Sequence, residues 1–153
     1  MDKLEHLVPP PLVALALAAL MGWMATWPPA WPWSGQGRMP VVGALVALGL
    51  VFDLSGLTAF FRRRTTINPL RPEQASSLVT GGIYRITRNP MYVGLVCLLL
   101  AWALFLWSPW ALPGPVLFVA WITRFQIVPE ERVLEHLFGD TYRAYRARVR
   151  RWL

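Results

Sequence analysis

The sequence predicts an all-α integral membrane protein with four transmembrane helices and a C-terminal amphipathic helical tail at the membrane surface. Three observations carry this. Of its 153 residues 56% are apolar, above the roughly 45–50% of soluble domains. The apolar residues gather in four runs, each near the 20 or so helical residues a bilayer needs, or about 17 at the short end. The arginines lie mostly between these runs, and the loops on the two sides differ sharply in charge. The length allows one domain, so residues 1–153 read as a single unit.

The first span is expected over residues 11–31. Pro9-Pro10-Pro11 suits its start, where the first helical turn has no N–H partners to lose. Asp2 and Glu5 beside Lys3 make a poor positive region for a secretory signal, and no small-residue cleavage site follows, so this reads as a retained helix. Trp27, Trp31 and Trp33, mixed with Pro28, Pro29 and Pro32, form an aromatic, helix-breaking exit. The second span, 40–61, stops at Arg62-Arg63-Arg64. The third covers 91–107. Pro109, Pro113, Gly114 and Pro115 then turn the chain into the fourth, 111–128.

Six arginines (Arg62, Arg63, Arg64, Arg71, Arg85 and Arg88) fall in the loop 62–90, and six more lie between Arg132 and Arg151; the opposite loops hold only Arg38. The positive-inside rule puts the loop and the tail, 129–153, in the cytoplasm, and four spans bring the N-terminus to the same side of an inner or plasma membrane. In the tail, Leu134, Leu137, Phe138, Tyr142, Tyr145 and Val149 recur at helical spacing with arginines mostly on other faces, and Gly139-Asp140 interrupts the run. That pattern predicts two short amphipathic helices at the interface, separated where glycine suits a helix end and aspartate a new N-cap.

A pI near 10.8 alone would suggest nucleic acid, but arginines flanking apolar runs set membrane orientation, and no nucleic-acid partner is expected. Cys97 has no second cysteine to pair with, and His6 and His136 lie far apart, so no metal site is expected. No Gly-x-Gly-x-x-Gly follows a strand pattern, which excludes a Rossmann cofactor site.

Chemistry has two places to reside. The stretch from Thr65 to Asn89 is too long to be only a connector, and long ordered loops are usually functional. Asn89 is expected to N-cap the third helix with Pro90 in its first turn, and Arg88 and Tyr92, four apart, would share a face beside a helix end that attracts anions. The second place is Arg124-Phe125-Gln126-Ile127-Val128-Pro129-Glu130-Glu131, where the acids either serve a ligand, pair with Arg124 or simply favour the dipole of a first helical turn. Asp53 lies about nine residues, or roughly 13 Å, from the arginine stop. An acid at that depth is either functional or a helix–helix hydrogen-bonding group.

The run Leu78-Val79-Thr80 to Tyr84, with Arg88-Asn89-Pro90-Met91-Tyr92-Val93-Gly94, resembles the isoprenylcysteine carboxyl methyltransferase and phospholipid N-methyltransferase superfamily. So does Glu130-Glu131 followed by His136-Leu137-Phe138-Gly139-Asp140-Thr141-Tyr142-Arg143-Ala144-Tyr145. The two motifs stand in the family's order, one helical hairpin apart. The resemblance implies a methyltransferase using S-adenosylmethionine, with S-adenosylhomocysteine as product. The cofactor would enter from the cytoplasm, and a lipophilic acceptor (a small molecule, a lipid or a prenylated group) from the bilayer. The closest activity is isoprenylcysteine carboxyl O-methylation. It implies cofactor contacts from Ser76, Ser77, Leu78, Val79, Tyr84, Asn89, Pro90, Met91, Tyr92, Glu130 and Tyr142. Arg88, Arg124 and Glu131 are the candidates for catalysis, and Arg124, Gln126 and Asp53 for the acceptor. Two positions depart from the family: Asn89 stands where histidine is frequent, and Gln126 near where the eukaryotic carboxyl methyltransferases carry an arginine. The competing readings are a membrane reductase of related fold using NADPH and a non-catalytic membrane assembly protein.

Overall fold

The computed structural model describes residues 8–28, 31, 34–63 and 77–153. These residues form helices and connecting turns, with no strand among them. Helix α1 spans Pro10–Met24, α2 Arg38–Arg63, α3 Pro90–Leu106, α4 Pro113–Ile122 and α5 Val128–Arg148. A single π-helical turn, Thr123–Ile127, joins α4 to α5, so the helical path runs without a stop from Pro109 to Arg148. Its cause lies in the sequence. Pro129 has no N–H to return to Phe125, and a wider turn there absorbs the missing bond. The expected break at Gly139 is present: its φ of 49° and ψ of −125° leave the helical region, a conformation glycine adopts without a Cβ clash.

Helix α1 is shorter than expected. It ends at Met24 rather than near Trp31, and residues 25–28 turn away; a proline at 28 disfavours the α region for the residue before it. Two helical stretches are long and apolar enough to cross a membrane, Arg38–Ala59 and Pro109–Arg148. The other two, α1 with 15 residues and α3 with 17, reach about 22 and 25 Å, under the roughly 30 Å of a hydrocarbon core.

The end of the bundle away from the tail carries an aromatic belt. Trp23 meets Trp27 edge-on at 4.8 Å, Trp27 meets Trp110 edge-on at 6.3 Å, and Trp31 lies tilted against Trp107 at 4.9 Å. Arg38, whose guanidinium lies 5.5 Å from the Trp107 ring, joins the same layer. This is where indoles sit at a membrane–water boundary.

Two seams organise the interior. Helices α2 and α3 run tightly together because glycines remove side chains between them. A Cβ on Gly49 would meet the Gly94 carbonyl at 3.0 Å, one on Gly56 would meet the Met91 side chain, and one on Gly94 would collide with the Asp53 carboxylate. The larger apolar cluster lies between α1, α3 and α4, with Met21, Leu99, Phe118, Ile122 and Ile127 almost fully buried.

Candidate active site

The head of α3, the π turn with the start of α5, and the second half of α5 converge at the end of the bundle opposite the aromatic belt. Pro90 occupies the first turn of α3 as expected, but Asn89 does not cap it with its side chain. Its Nδ2 donates instead to the Arg151 carbonyl at 2.9 Å, while its own N–H is taken by Thr87 Oγ1 at 3.2 Å. The Thr87 hydroxyl also donates to the Arg151 carbonyl, and the Arg88 N–H donates to the Arg150 carbonyl at 3.0 Å. Residues 87–89 thus grip the segment that follows α5.

Two acidic clusters lie side by side. In the first, Glu130 Oε1 accepts from the Tyr92 hydroxyl and from Gln126 Nε2, both at 2.9 Å. Gln126 and Glu130, four residues apart, share a face and meet Tyr92 of α3 together. Burial pushes the Glu130 carboxyl up to about 7, against the lowering effect of these two hydrogen bonds, and the neighbouring Glu131 charge adds to the rise. Tyr84 is buried close by, and burial together with Tyr145 and Glu130 holds its hydroxyl well above the ordinary tyrosine value.

In the second cluster, Glu131 is 8% exposed and both its oxygens are occupied. Arg88 Nη2 lies 3.0 Å from Oε1, and Arg151 makes a two-point contact, Nε to Oε1 at 2.9 Å and Nη2 to Oε2 at 2.7 Å. Two guanidinium groups therefore face one carboxylate. Arg88 Nε and Nη1 are buried without a hydrogen-bond partner among the described residues, as is Ser77 Oγ. Tyr142 closes this cluster. Burial, and then the Glu131 charge, push its hydroxyl up to about 12, so it remains a donor.

The tail covers both clusters. Tyr142 is 2% and Tyr145 4% exposed, and the Tyr145 hydroxyl donates to the Tyr84 carbonyl at 2.7 Å. Beside this bond a cleft of about 440 Å³ opens between Thr80, Gly81, Arg85, Tyr145, Arg148 and Val149.

Of the residues expected at a site, the fold brings Tyr84, Tyr92, Gln126 and Glu130 into one cluster and Arg88, Glu131 and Tyr142 into the other. Val79 is buried, Ser77 and Leu78 half-buried, and Ser76 lies outside the described residues. Met91 turns to Gly56, and Asp53 sits against Gly94 in the α2–α3 seam. Arg124 is exposed, its guanidinium 5.3 Å from the Phe125 ring, and the ion pairs seen on Glu131 come from Arg88 and Arg151. Sequence reasoning missed Thr87, Arg151 and Trp152. Arg151 was absorbed into the count of topology arginines, and the available signal was Trp152, an aromatic residue closing a run of arginines.

The phospholipid methyltransferase family matches residues 38–141, which include both acidic clusters except Arg151 and Tyr142. Protein-S-isoprenylcysteine O-methyltransferase B of Arabidopsis thaliana is 29% identical over 108 residues, 69% of this chain and 53% of the plant protein. The chain thus spans about half the length of that relative. An uncharacterized protein of Haemophilus influenzae is 49% identical over 63 residues, 41% of this chain and the whole of the other. No solved structure matches the chain.

Proposed function

From the premise that the chain belongs to the phospholipid methyltransferase family, we propose that it transfers a methyl group from S-adenosylmethionine to a lipophilic acceptor at the cytoplasmic face of a membrane crossed by four helices. An isoprenylcysteine-type carboxylate is the acceptor to test first, since a carboxylate needs no base to become nucleophilic.

The observation that carries the reading is Arg88. Its side chain is 9% exposed, yet two of its nitrogens, Nε and Nη1, have no partner among the described residues, and a buried charged donor left unmade is expensive. With Arg151 also on Glu131, the cluster holds one positive charge more than it neutralises. The α-carboxylate of an amino-acid-bearing cofactor supplies what is missing. Glu130 suits the opposite polarity. When ionised it accepts from ribose hydroxyls and attracts a cation, and Tyr92 and Gln126 fix its orientation. Tyr142 and Tyr145 keep water from both clusters. When bound, S-adenosylmethionine supplies an electrophilic methyl on a sulfonium, whose in-line displacement depends largely on positioning. No residue of this chain need form a covalent bond.

The test is calorimetric titration of the detergent-purified protein with S-adenosylhomocysteine, alongside Glu130→Ala. Micromolar binding that the variant loses is the expected result. Silence in well-folded protein, with heat on adding NADPH, would turn the reading to a reductase, and silence with both to an assembly protein.

A further inference from the structure

The arginines of α5 and of the segment before α3 differ in what neutralises them. Arg143 pairs with Glu135 and Asp140, Arg146 with Glu135, and Arg88 and Arg151 with Glu131. Arg85 and Arg148 have no acidic partner among the described residues. The Nε of Arg148 donates to the Ala144 carbonyl of its own helix at 3.2 Å, which leaves Nη1 and Nη2 for a ligand.

These two arginines line the same cleft, the opening of about 440 Å³ walled also by Thr80, Gly81, Tyr145 and Val149. No acid lines it among the described residues. Two like charges around one opening repel, and a shared counter-ion turns that repulsion into attraction. The half-buried Thr80 adds a hydroxyl, and the backbone at Gly81 is open, with no atom near the place a side chain would occupy. Two guanidinium forks bind an oxyanion at several points. Their two charges match a phosphate monoester or inorganic phosphate, which carries about −1.5 to −2 near neutral pH, better than a single carboxylate.

The cleft is separate from the acidic clusters, none of whose acids or arginines lines it. Tyr145 stands at its edge, with its hydroxyl on the Tyr84 carbonyl at 2.7 Å. That bond joins the same two elements that carry the unpaired arginines. Arg85 and Tyr84 belong to the short helical turn Gly82–Arg85, and Arg148 and Tyr145 to the second half of α5.

We infer that this cleft is a phosphate-binding site, where a phosphate group bridging Arg85 and Arg148 clamps the tail against the Gly82–Arg85 turn. The group is carried on a lipid headgroup at the membrane surface or is free in solution, and it is neither methyl donor nor acceptor. The site stands on the cleft itself, and its effect on the cofactor rests on the methyltransferase reading. A clamped tail keeps Tyr142 and Tyr145 closed, so phosphate and cofactor each strengthen the binding of the other.

The test uses detergent-purified wild type and Arg85→Gln with Arg148→Gln, with inorganic phosphate replacing chloride at constant ionic strength. Phosphate is expected to raise the wild-type Tm saturably by about 2–4 °C and to tighten S-adenosylhomocysteine binding about three- to tenfold. The double variant should show neither effect, while its affinity for S-adenosylhomocysteine without phosphate stays within about twofold of wild type. Both side chains are exposed; if the double variant does not fold, the single variants decide, each weakening the phosphate response about tenfold. Nanodiscs of phosphatidylcholine with about one-fifth phosphatidic acid identify the source. Tighter cofactor binding to which inorganic phosphate adds nothing marks the lipid, an effect of inorganic phosphate alone marks the free ion, and both support the site. A Tm gain equal in wild type and variant, or no response to either phosphate, overturns it. A Tm gain confined to wild type with no change in a measurable S-adenosylhomocysteine affinity overturns the clamp. If wild type gains Tm with phosphate but binds no S-adenosylhomocysteine at all, the site stands and the methyltransferase reading fails.

Discussion

Replacing Glu131 with alanine tests the second cluster as a structural brace. The substitution removes the counter-charge of Arg88, where both side chains are about nine-tenths buried. Breaking a buried ion pair from one side costs about 3–5 kcal/mol, because a charge is left without compensation. The low end is used here, since neither side chain is wholly sealed from solvent, at 9% and 10% exposure. Arg151 is 36% exposed, so its share is discounted for solvent to about 1 kcal/mol. The sum is about 4 kcal/mol, a large part of the roughly 5–15 kcal/mol that holds a domain together. At about 2–4 °C per kcal/mol for a chain of this size, Tm should fall by roughly 8–16 °C. Thermal unfolding in detergent, followed by the fluorescence of the nine tryptophans, reads this directly. The double variant Arg88→Met with Glu131→Leu should recover at least half of the loss, because no buried charge remains to be neutralised. A single variant within about 2 °C of wild type, or a double variant no better than the single, would refute the reasoning.

The first cluster should respond to pH. Burial raises the folded-state value of Glu130 from 4.5 to about 7, so between these two values the folded protein binds more protons than the unfolded chain, and stability falls as pH rises. Measured against Glu130→Gln, the wild type should lose stability across that window and then level off. S-adenosylmethionine binding should run the other way, strengthening as pH rises through about 7, while the Gln variant stays flat. Calorimetry across pH 5.5–8.5 follows the binding, and a flat wild-type curve would count against Glu130 as the group facing the cofactor. Gly94→Ala should cost about 1–3 kcal/mol by overpacking, since the new methyl collides with the Asp53 carboxylate. Adding Asp53→Ala should return most of that in the same unfolding assay. Tyr142→Ala with Tyr145→Ala opens the cover and removes the bond to the Tyr84 carbonyl, so S-adenosylhomocysteine affinity should drop by tenfold or more; unchanged affinity in folded protein would show that the tail is not a lid.

Much of this was legible along the chain. The apolar runs, Pro90 at the head of α3 and the break at Gly139 are local patterns, written in residues that act on their neighbours within a turn or two. Helix α1 was overestimated because a hydropathy run does not register that Pro28 ends a helix several residues earlier. The division of labour between the two acids was not legible either. Glu130 and Glu131 are adjacent and chemically alike, and only their facings, about 100° apart around α5, give one to Tyr92 and Gln126 and the other to two arginines.

By itself the sequence determined the class of the protein, because membrane partition, charge asymmetry and helix punctuation are sums over near neighbours. Only the tertiary structure decided which arginines hold Glu131, that Asn89 holds the segment after α5 rather than capping α3, and that Trp152 packs on both apolar clusters. Those outcomes join residues some 20–65 positions apart. The separation is bridged by packing, and no periodicity in the chain records it.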